Sequence, residues 1–116
     1  MSDFEIEHER QDDVEVLHLK GQLDAHSFPR LQEALESIDA AAPPRVVLDC
    51  ASLAYVSSAG LGVLKKMSRE FRDREGDLRL STLPSKISNV IELLGFSAVI
   101  KVFPGKDDAV RSFRDA

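Results

Sequence analysis

The sequence predicts an α/β fold: a mixed β-sheet that opens with an N-terminal hairpin and has helices packed on it. Two segments of alternating apolar and polar residues flank Asp12 and Asp13, a pattern typical of a hairpin. The apolar run at 46–48 indicates a strand buried on both faces, as in parallel sheets. Helical and strand-like segments alternate along the rest of the chain, and this order favours helices layered on one sheet.

The hairpin accounts for the first fifth of the chain. Residues 4–9 alternate between large side chains and glutamates, so they predict a strand with an acidic outer face. Residues 14–20 predict the partner strand. Residues 21–24 are expected to end that second strand and to start a loop.

A helix and a buried strand are predicted next. The helix begins near Ser27 and Pro29, and the pattern leaves its exact cap open. Its apolar stripe consists of Leu31, Leu35 and Ile38. Residues 40–44 close this helix and form a linker to the buried strand at 45–49.

The second half of the chain predicts three more helices and two more strands. A helix at 58–74 stops near Gly76, and a strand follows at 78–81. The third helix has a predicted buried face made of Ile87, Val90, Ile91 and Leu94. A short strand at 98–103 and a terminal helix at 106–113 complete the chain, and Ala109, Val110 and Phe113 are expected to face inward.

Composition excludes several classes of function. The formal charge of -5 and the pI of about 5.1 argue against nucleic-acid binding, which needs a basic surface. No apolar run approaches the roughly 20 residues that span a bilayer. The N-terminus is acidic and lacks the apolar core of a signal peptide. A single cysteine, Cys50, cannot build a disulfide framework, so we expect a reducing, cytoplasmic setting.

The residue types used in metal and covalent chemistry are scattered. His8, His18 and His26 lie apart and Cys50 has no partner in a ligand spacing, so no metal or cofactor is expected. Cys50, at a predicted strand end, is interpreted as a small buried hydrophobe. His18 alternates with valines and is interpreted as a hydrogen-bonded histidine on a sheet face or in the core.

The most informative segment is Tyr55 to Gly62, YVSSAGLG, because it joins a predicted strand to a predicted helix. Ser57 and Ser58 lie at the helix N-terminus, where unpaired N–H groups and the helix dipole favour a capping oxygen or a phosphate. Gly60 and Gly62 indicate close approach of the first helical turn to neighbouring backbone. The local pattern alone favours capping over regulation.

Enzymatic interpretations of this turn fit poorly. Val56 stands where a nucleophile elbow around Ser58 needs glycine. The two glycines lack the spacing of a dinucleotide loop, and no lysine follows as in a P-loop. Asp24 and Asp49 could in principle serve as a catalytic acid and base. Aspartates in loops and at strand ends, however, usually form turns or cap helices. We therefore expect no catalytic residue.

Three segments in order resemble the STAS domain, in particular the bacterial anti-sigma factor antagonists. LKGQLD at 19–24 is similar to the family's strand-ending G-x-L-D, and YVSSAGLG at 55–62 to its D-S-S-G-L-G turn. Pro84 and the helix ending in LGF at 94–96 resemble the later S-P-x-V and L-x-x-x-G-L segment. The resemblance implies a single STAS domain over residues 1–116.

The resemblance also implies a regulatory module without its own reaction. Such antagonists bind an anti-sigma factor, often a serine-protein kinase, and so release a sigma factor. The kinase phosphorylates the serine after the motif aspartate, which abolishes binding, and a phosphatase restores it. In this chain that serine is Ser58. Ser57 replaces the motif aspartate and is a rival acceptor, and Ala59 replaces the following serine.

The resemblance leaves an alternative open. Some STAS proteins are constitutive subunits of stressosome-like scaffolds or of lipid-transport complexes. In either case the layout predicts a docking edge. If the second and third strands are neighbours, Asp24, Ala25, His26 and Ser27 lie beside Ser57, Ser58, Ala59 and Gly60, and these eight residues are the candidate partner-binding set.

Overall fold

The computed structural model describes residues 3–38 and 42–114, so residues 40 and 41 of the predicted linker lie outside the described residues, and residues 42–44 connect to the next strand without helix or strand structure of their own. The elements in chain order are β1 (Phe4–Gln11), β2 (Val14–Leu23), α1 (Phe28–Glu36), β3 (Arg45–Val56), α2 (Ser58–Asp73), β4 (Asp77–Ser81), α3 (Ser85–Leu93), a 3-10 turn (Phe96–Ala98), β5 (Val102–Phe103) and α4 (Lys106–Ser112). The strands form one sheet in the order β1-β2-β3-β4-β5. β1 is antiparallel to β2 and the other neighbours are parallel, which confirms the predicted mixed sheet.

The predicted hairpin turn is confirmed. Asp12 and Asp13 both have positive φ, 50° and 64°, and the flanking residues Gln11 and Val14 are paired across the ladder. Two central residues with positive φ make the tight turn whose twist matches the flanking strands. Aspartate tolerates this left-handed region better than most residues do, so the sequence supports the turn without a glycine.

Both strands that lead to the candidate site are longer than predicted. β2 continues through Gly21 to Leu23, and β3 continues to Val56. Gly21 has a φ of +96°, and a Cβ there would lie 1.6 Å from the Asp3 carbonyl oxygen. The glycine therefore marks an irregularity within the strand, where the register with β3 shifts, rather than the end of the strand.

The sheet has a heavily covered face and a lightly covered face. α1, α2 and α3 pack on the first, where the main core includes leucines at positions 17, 19, 31, 35, 48, 64, 78 and 80. α4 packs on the second over a small cluster, Val14, Val16, Val47, Ala109 and Val110. The buried strand prediction is confirmed by Val46, Val47 and Leu48, which are fully buried.

The C-terminal third corrects two predictions. Ile87 and Ile91 of α3 are buried as expected, but Val90 and Leu94 are 42% and 62% exposed. They turn toward solvent because α3 presents only a narrow stripe to the core. Most of the predicted strand at 98–103 is also wrong, since a 3-10 turn occupies Phe96–Ala98 and β5 is limited to Val102–Phe103.

Candidate partner-binding surface

The ends of β2 and β3 bring the two predicted loops together. The two strands are parallel neighbours, and Leu23 is the register partner of Val56. Immediately beyond them, the backbone N–H of Ser57 donates to the carbonyl oxygen of Leu23 at 2.8 Å. The loop at 24–27 and the start of α2 therefore leave the sheet at the same edge. The part played by Leu23 was not predicted, because strand register is not readable from one sequence.

The Asp24 side chain organises the loop at 24–27. Its Oδ1 accepts from the backbone N–H groups of His26 at 2.9 Å and Ser27 at 3.1 Å. These two backbone donors hold the pKa of the Asp24 carboxyl below its usual value. Ser27 Oγ accepts from the Asp24 N–H at 2.9 Å and donates to the Gln22 carbonyl at 2.7 Å. The loop is thus a fixed platform rather than a loose connection.

The four loop residues differ in what they offer to a partner. Ala25 and His26 are exposed, Asp24 is half-buried, and Ser27 is only 7% exposed. Ser27 also precedes the first residue of α1 without making a side-chain cap to that helix. Its hydroxyl supports the loop from inside, and the outward surface belongs to Ala25 and His26.

Ser57 and Ser58 have different surroundings although they are adjacent. Ser57 is the N-cap of α2, with extended backbone, and its Oγ accepts from the Gly60 N–H at 3.2 Å. Ser58 is the first residue of α2 and is exposed, and its hydroxyl makes no hydrogen bond with any part of the chain that the structure describes. One hydroxyl is therefore engaged in capping, and the other is free to react or to be bound.

The two glycines in the first turns of α2 also differ. A Cβ on Gly60 would lie 2.8 Å from Leu23 Cγ and 3.0 Å from the Leu23 carbonyl oxygen. This confirms the predicted close approach at Gly60. A Cβ on Gly62 would have no neighbour within 4 Å, so the same prediction is wrong for Gly62. Ala59, which lies between Ser58 and Gly60, is half-buried.

The residues considered for catalysis do not come together. Asp49 is the register partner of His18, whereas Asp24 follows Leu23, the partner of Val56, so the two aspartates lie at different levels of the sheet. Cys50 lies within β3 rather than at its end and is 2% exposed. Burial raises the pKa of the Cys50 thiol to about 12, with the Asp49 charge adding to the effect, which makes it a poor nucleophile. Residues 3–38 and 42–114 hold no cluster suited to a metal ion.

A polar network on the second face of the sheet was only partly predicted. The His18 ring lies between two carboxylates, with Nδ1 2.8 Å from Asp49 Oδ2 and Nε2 2.7 Å from Glu9 Oε1. Lys106 of α4 contacts both Glu9 oxygens at 3.2 Å, and the Ser81 hydroxyl donates to Asp49 at 3.2 Å. Glu9 is the main cause of a raised pKa at His18, and the His18 hydrogen bond is the main cause of a lowered pKa at Glu9. The sheet-face interpretation of His18 is confirmed, and the network joins β1, β2, β3, β4 and α4.

Known proteins share the sequence pattern and the fold of this chain. The profile of the STAS domain matches residues 5–109. A Bordetella bronchiseptica protein named as an anti-sigma factor antagonist is 30% identical over 105 residues, 90% of each chain. The Listeria monocytogenes anti-sigma-B factor antagonist is 28% identical over 99 residues, 85% of this chain and 86% of its own.

A solved structure agrees with the fold. The crystal structure of an anti-sigma factor antagonist from Mycobacterium paratuberculosis superposes with a TM-score of 0.85 at 24% identity, covering 96% of this chain and 94% of its own. Within the described ranges of this chain, none of the helices has the length and apolar character needed to cross a membrane. With the profile match, the 30% relative and the shared fold together, this chain belongs to the STAS domain family.

Proposed function

We propose that this protein is an anti-sigma factor antagonist, a regulatory binding module that acts through the edge formed by the loop at 24–27 and the start of α2. The names of its Bordetella and Listeria relatives support this role. The observation that carries the regulatory part is Ser58, an exposed hydroxyl without a hydrogen bond among the described residues, at the same sheet edge as the loop that carries the exposed residues Ala25 and His26. In this proposal the partner is an anti-sigma factor that is also a serine-protein kinase, and a phosphatase reverses its action.

The geometry favours Ser58 over Ser57 as the phosphate acceptor. A kinase needs a hydroxyl that can enter its active site, and Ser58 is exposed at the first position of α2. The Ser57 oxygen accepts from Gly60 N–H, and its backbone is bonded to Leu23. Entry of the Ser57 hydroxyl into a kinase active site would break this capping bond, which is worth about 1 kcal/mol. Ser57 thus performs the capping task that the motif aspartate can also perform.

Phosphate at Ser58 would act on the complex more than on the fold. It adds about -1.5 to -2 charge at pH 7, and the N-terminus of a helix tolerates that charge. In an interface the same group must be desolvated or must face the partner's charges. Raising the dissociation constant of a complex from nanomolar to micromolar takes roughly 4 kcal/mol. One buried and unpaired phosphate can supply that free energy.

Intact-mass analysis with the cognate kinase and ATP tests the acceptor. The unaltered protein should gain one phosphate, and Ser58→Ala should gain none. Ser57→Asp is the matched control, because aspartate keeps an N-cap oxygen but offers no hydroxyl, so it should still gain one phosphate. A competent kinase that modifies no serine, or that modifies Ser58→Ala and not Ser57→Asp, would contradict the assignment.

Co-purification from the source cell tests the class of partner. Tagged protein should retain a kinase-like anti-sigma factor, and Ser58→Asp should retain less of it. A membrane transport complex or a large scaffold that binds both proteins equally would support constitutive assembly instead. No contact in the structure favours that alternative.

A further inference from the structure

A row of exposed positions runs down α2 from Ser58. Steps of four, three and four residues lead from Ser58 to Gly62, Lys65 and Arg69, and these steps place all four on one face of a helix. Each of the four is exposed. We call this row the α2 ridge. Its head is the candidate phosphorylation site and its lower half carries two cations.

The cations of the α2 ridge have no partner among the residues that the structure describes. Within residues 3–38 and 42–114, no carboxylate oxygen lies within 4.0 Å of the side-chain nitrogens of Lys65 or Arg69. Arg72, one step further down, is different, because it donates to the Val99 carbonyl at 2.8 Å and contacts Asp77 at 3.5 Å. The ridge is therefore a locally basic surface on a chain whose formal charge is -5.

Gly62 gives a second, independent reason to treat the α2 ridge as a contact surface. Glycine destabilises a helix interior relative to alanine. Nothing lies within 4 Å of the place where its Cβ would be, so the fold does not require glycine there. Its absent side chain leaves bare helical backbone between Ser58 and Lys65. Such a gap lets another protein element approach the helix closely.

We infer that the α2 ridge docks against an acidic surface of the anti-sigma factor, with carboxylates facing Lys65 and Arg69 and a close backbone contact at Gly62. The inference rests on the proposed function and names the chemistry of the partner's contact surface. A protein surface is favoured over nucleic acid or anionic lipid because the exposed residues Glu70 and Asp73 of the same helix would repel a continuous polyanion.

The arrangement explains why phosphate would oppose binding. Ser58 and Lys65 are seven residues apart, a rise of about 10 Å, so a phosphate and an ammonium would pair directly only if both side chains extended fully toward each other along the helix. A phosphate at Ser58 therefore stays available to repel the carboxylates that the two cations attract. The two cations and the phosphate lie on the same face of α2, so their attraction and repulsion act on the same surface of the partner.

Charge reversal with a matched control tests the inference. The double variant Lys65→Glu/Arg69→Glu should weaken binding of the purified anti-sigma factor at least about 30-fold in calorimetry, because two attractions become repulsions. Lys86→Glu/Lys101→Glu removes two other exposed cations that have no ion pair in the described part of the chain, with the same change in net charge. It should change affinity less than about 3-fold. Added salt should weaken the unaltered complex and strengthen that of the ridge variant.

A second substitution tests close approach without changing charge. Gly62→Gln should raise the melting temperature by about 3 °C, because glutamine is a better helix former and has open space. It should nevertheless weaken binding at least about 10-fold, since its side chain fills the gap. Gly62→Ala, the smaller control, should give a similar rise in melting temperature with less loss of affinity.

The outcomes separate the inference from the proposed function. If the unaltered protein binds no anti-sigma factor, the proposed function fails and the inference fails with it. If it binds, and both double variants bind equally well, the inference alone is overturned. A different binding pattern would overturn it as well. In that pattern a DNA duplex or phosphatidylglycerol vesicles bind the unaltered protein but not the ridge variant, while the anti-sigma factor binds both proteins equally well.

Discussion

At the scale of single residues, the turn at 57–58 divides two tasks between two neighbouring hydroxyls. Ser57 holds the first turn of α2 by accepting from Gly60 N–H, and Ser58 lies one residue further, exposed. A shift of one position along the chain changes a side chain from structural to accessible, because the N-cap and the first helical residue point in different directions. Serine is suited to both positions, so its identity alone does not reveal the task.

Aspartate substitutions at the two serines should have opposite effects on binding. Ser58→Asp places a carboxylate in the first turn of α2, where the dipole favours it, so stability should stay within about 1 kcal/mol. Its affinity for the anti-sigma factor should fall, though less than with phosphate, which carries more charge. Ser57→Asp should keep both the cap and the affinity.

Calorimetric titration of both variants against one partner gives the comparison. Thermal melts of the free proteins supply the control, since a variant that melts at the normal temperature has not lost affinity through unfolding. Loss of binding in Ser57→Asp with normal binding in Ser58→Asp would mean that the switch is assigned to the wrong serine.

At the scale of elements, the loop at 24–27 is a structured unit that is held by one carboxylate oxygen. Asp24 Oδ1 alone accepts from the backbone N–H groups of His26 and Ser27. Asparagine can present the same oxygen, whereas alanine cannot. Shape and charge of the loop can therefore be separated by experiment.

Asp24→Asn should preserve the melting temperature, and Asp24→Ala should lower it. If the Asp24 charge contributes to docking, Asp24→Asn should weaken partner binding without any loss of stability. If only the shape of the loop matters, Asp24→Asn should bind normally and Asp24→Ala should bind weakly. Differential scanning fluorimetry beside calorimetry measures both quantities, and normal binding by Asp24→Ala would exclude this loop from the interface.

The order of the elements was predictable from the sequence, and their limits were less so. Alternation predicts β1 and the start of β2, but the irregularity at Gly21 interrupts the pattern, so the sequence predicts a loop where the last residues of β2 lie. Apolar spacing identified α3 correctly, yet Val90 and Leu94 share that spacing and are exposed. Periodicity shows which residues share a face and does not show how wide the covered part of that face is.

The candidate site was predictable to a similar degree. Two short motifs predict both loops and the candidate acceptor serine, Ser58. The burial of Ser27 and the contact of Gly60 with Leu23 depend on how two strand ends meet, and that is a tertiary property. The link of His18 to Glu9 and Asp49 depends on pairing register across three strands, which no local pattern encodes.

At the scale of the whole molecule, a charged network holds the terminal helix to the sheet. α4 is seven residues long and packs on a small apolar cluster. The contact of Lys106 with Glu9 adds to its attachment, together with hydrogen bonds to α4 from Gln11 and Arg79. Glu9 in turn depends on His18, which is half-buried between two carboxylates. Loss of the His18 proton would leave one carboxylate facing a ring nitrogen that no longer donates.

The network predicts that stability falls as the solution becomes mildly alkaline. The pKa of His18 is raised in the folded protein, so its contribution is complete below about pH 6.5 and is lost as pH rises through the folded value. The pKa of Glu9 is lowered, so its contribution is present above about pH 4.5 and is lost as pH falls through the folded value. The network should therefore contribute most between about pH 4.5 and 6.5.

Melting temperatures measured from pH 5 to pH 9 check this dependence. The unaltered protein should lose stability relative to His18→Gln as the pH rises above about 6.5, because glutamine cannot titrate. Hydrogen exchange should show that α4 opens first. If the melting temperatures of the two proteins change in parallel over that pH range, His18 is not the cause of the loss of stability.

Both free edges of the sheet are poorly suited to joining another sheet. β1 forms one edge and carries exposed glutamates at positions 5 and 7, and β5 forms the other edge with only two residues. A second copy paired antiparallel along β1 would bring like carboxylates close together, and β5 is too short to act as a template. The sheet is therefore protected against edge-to-edge aggregation even when the protein is concentrated, and we expect any assembly that it enters to form through its helices, its loops or its lightly covered face.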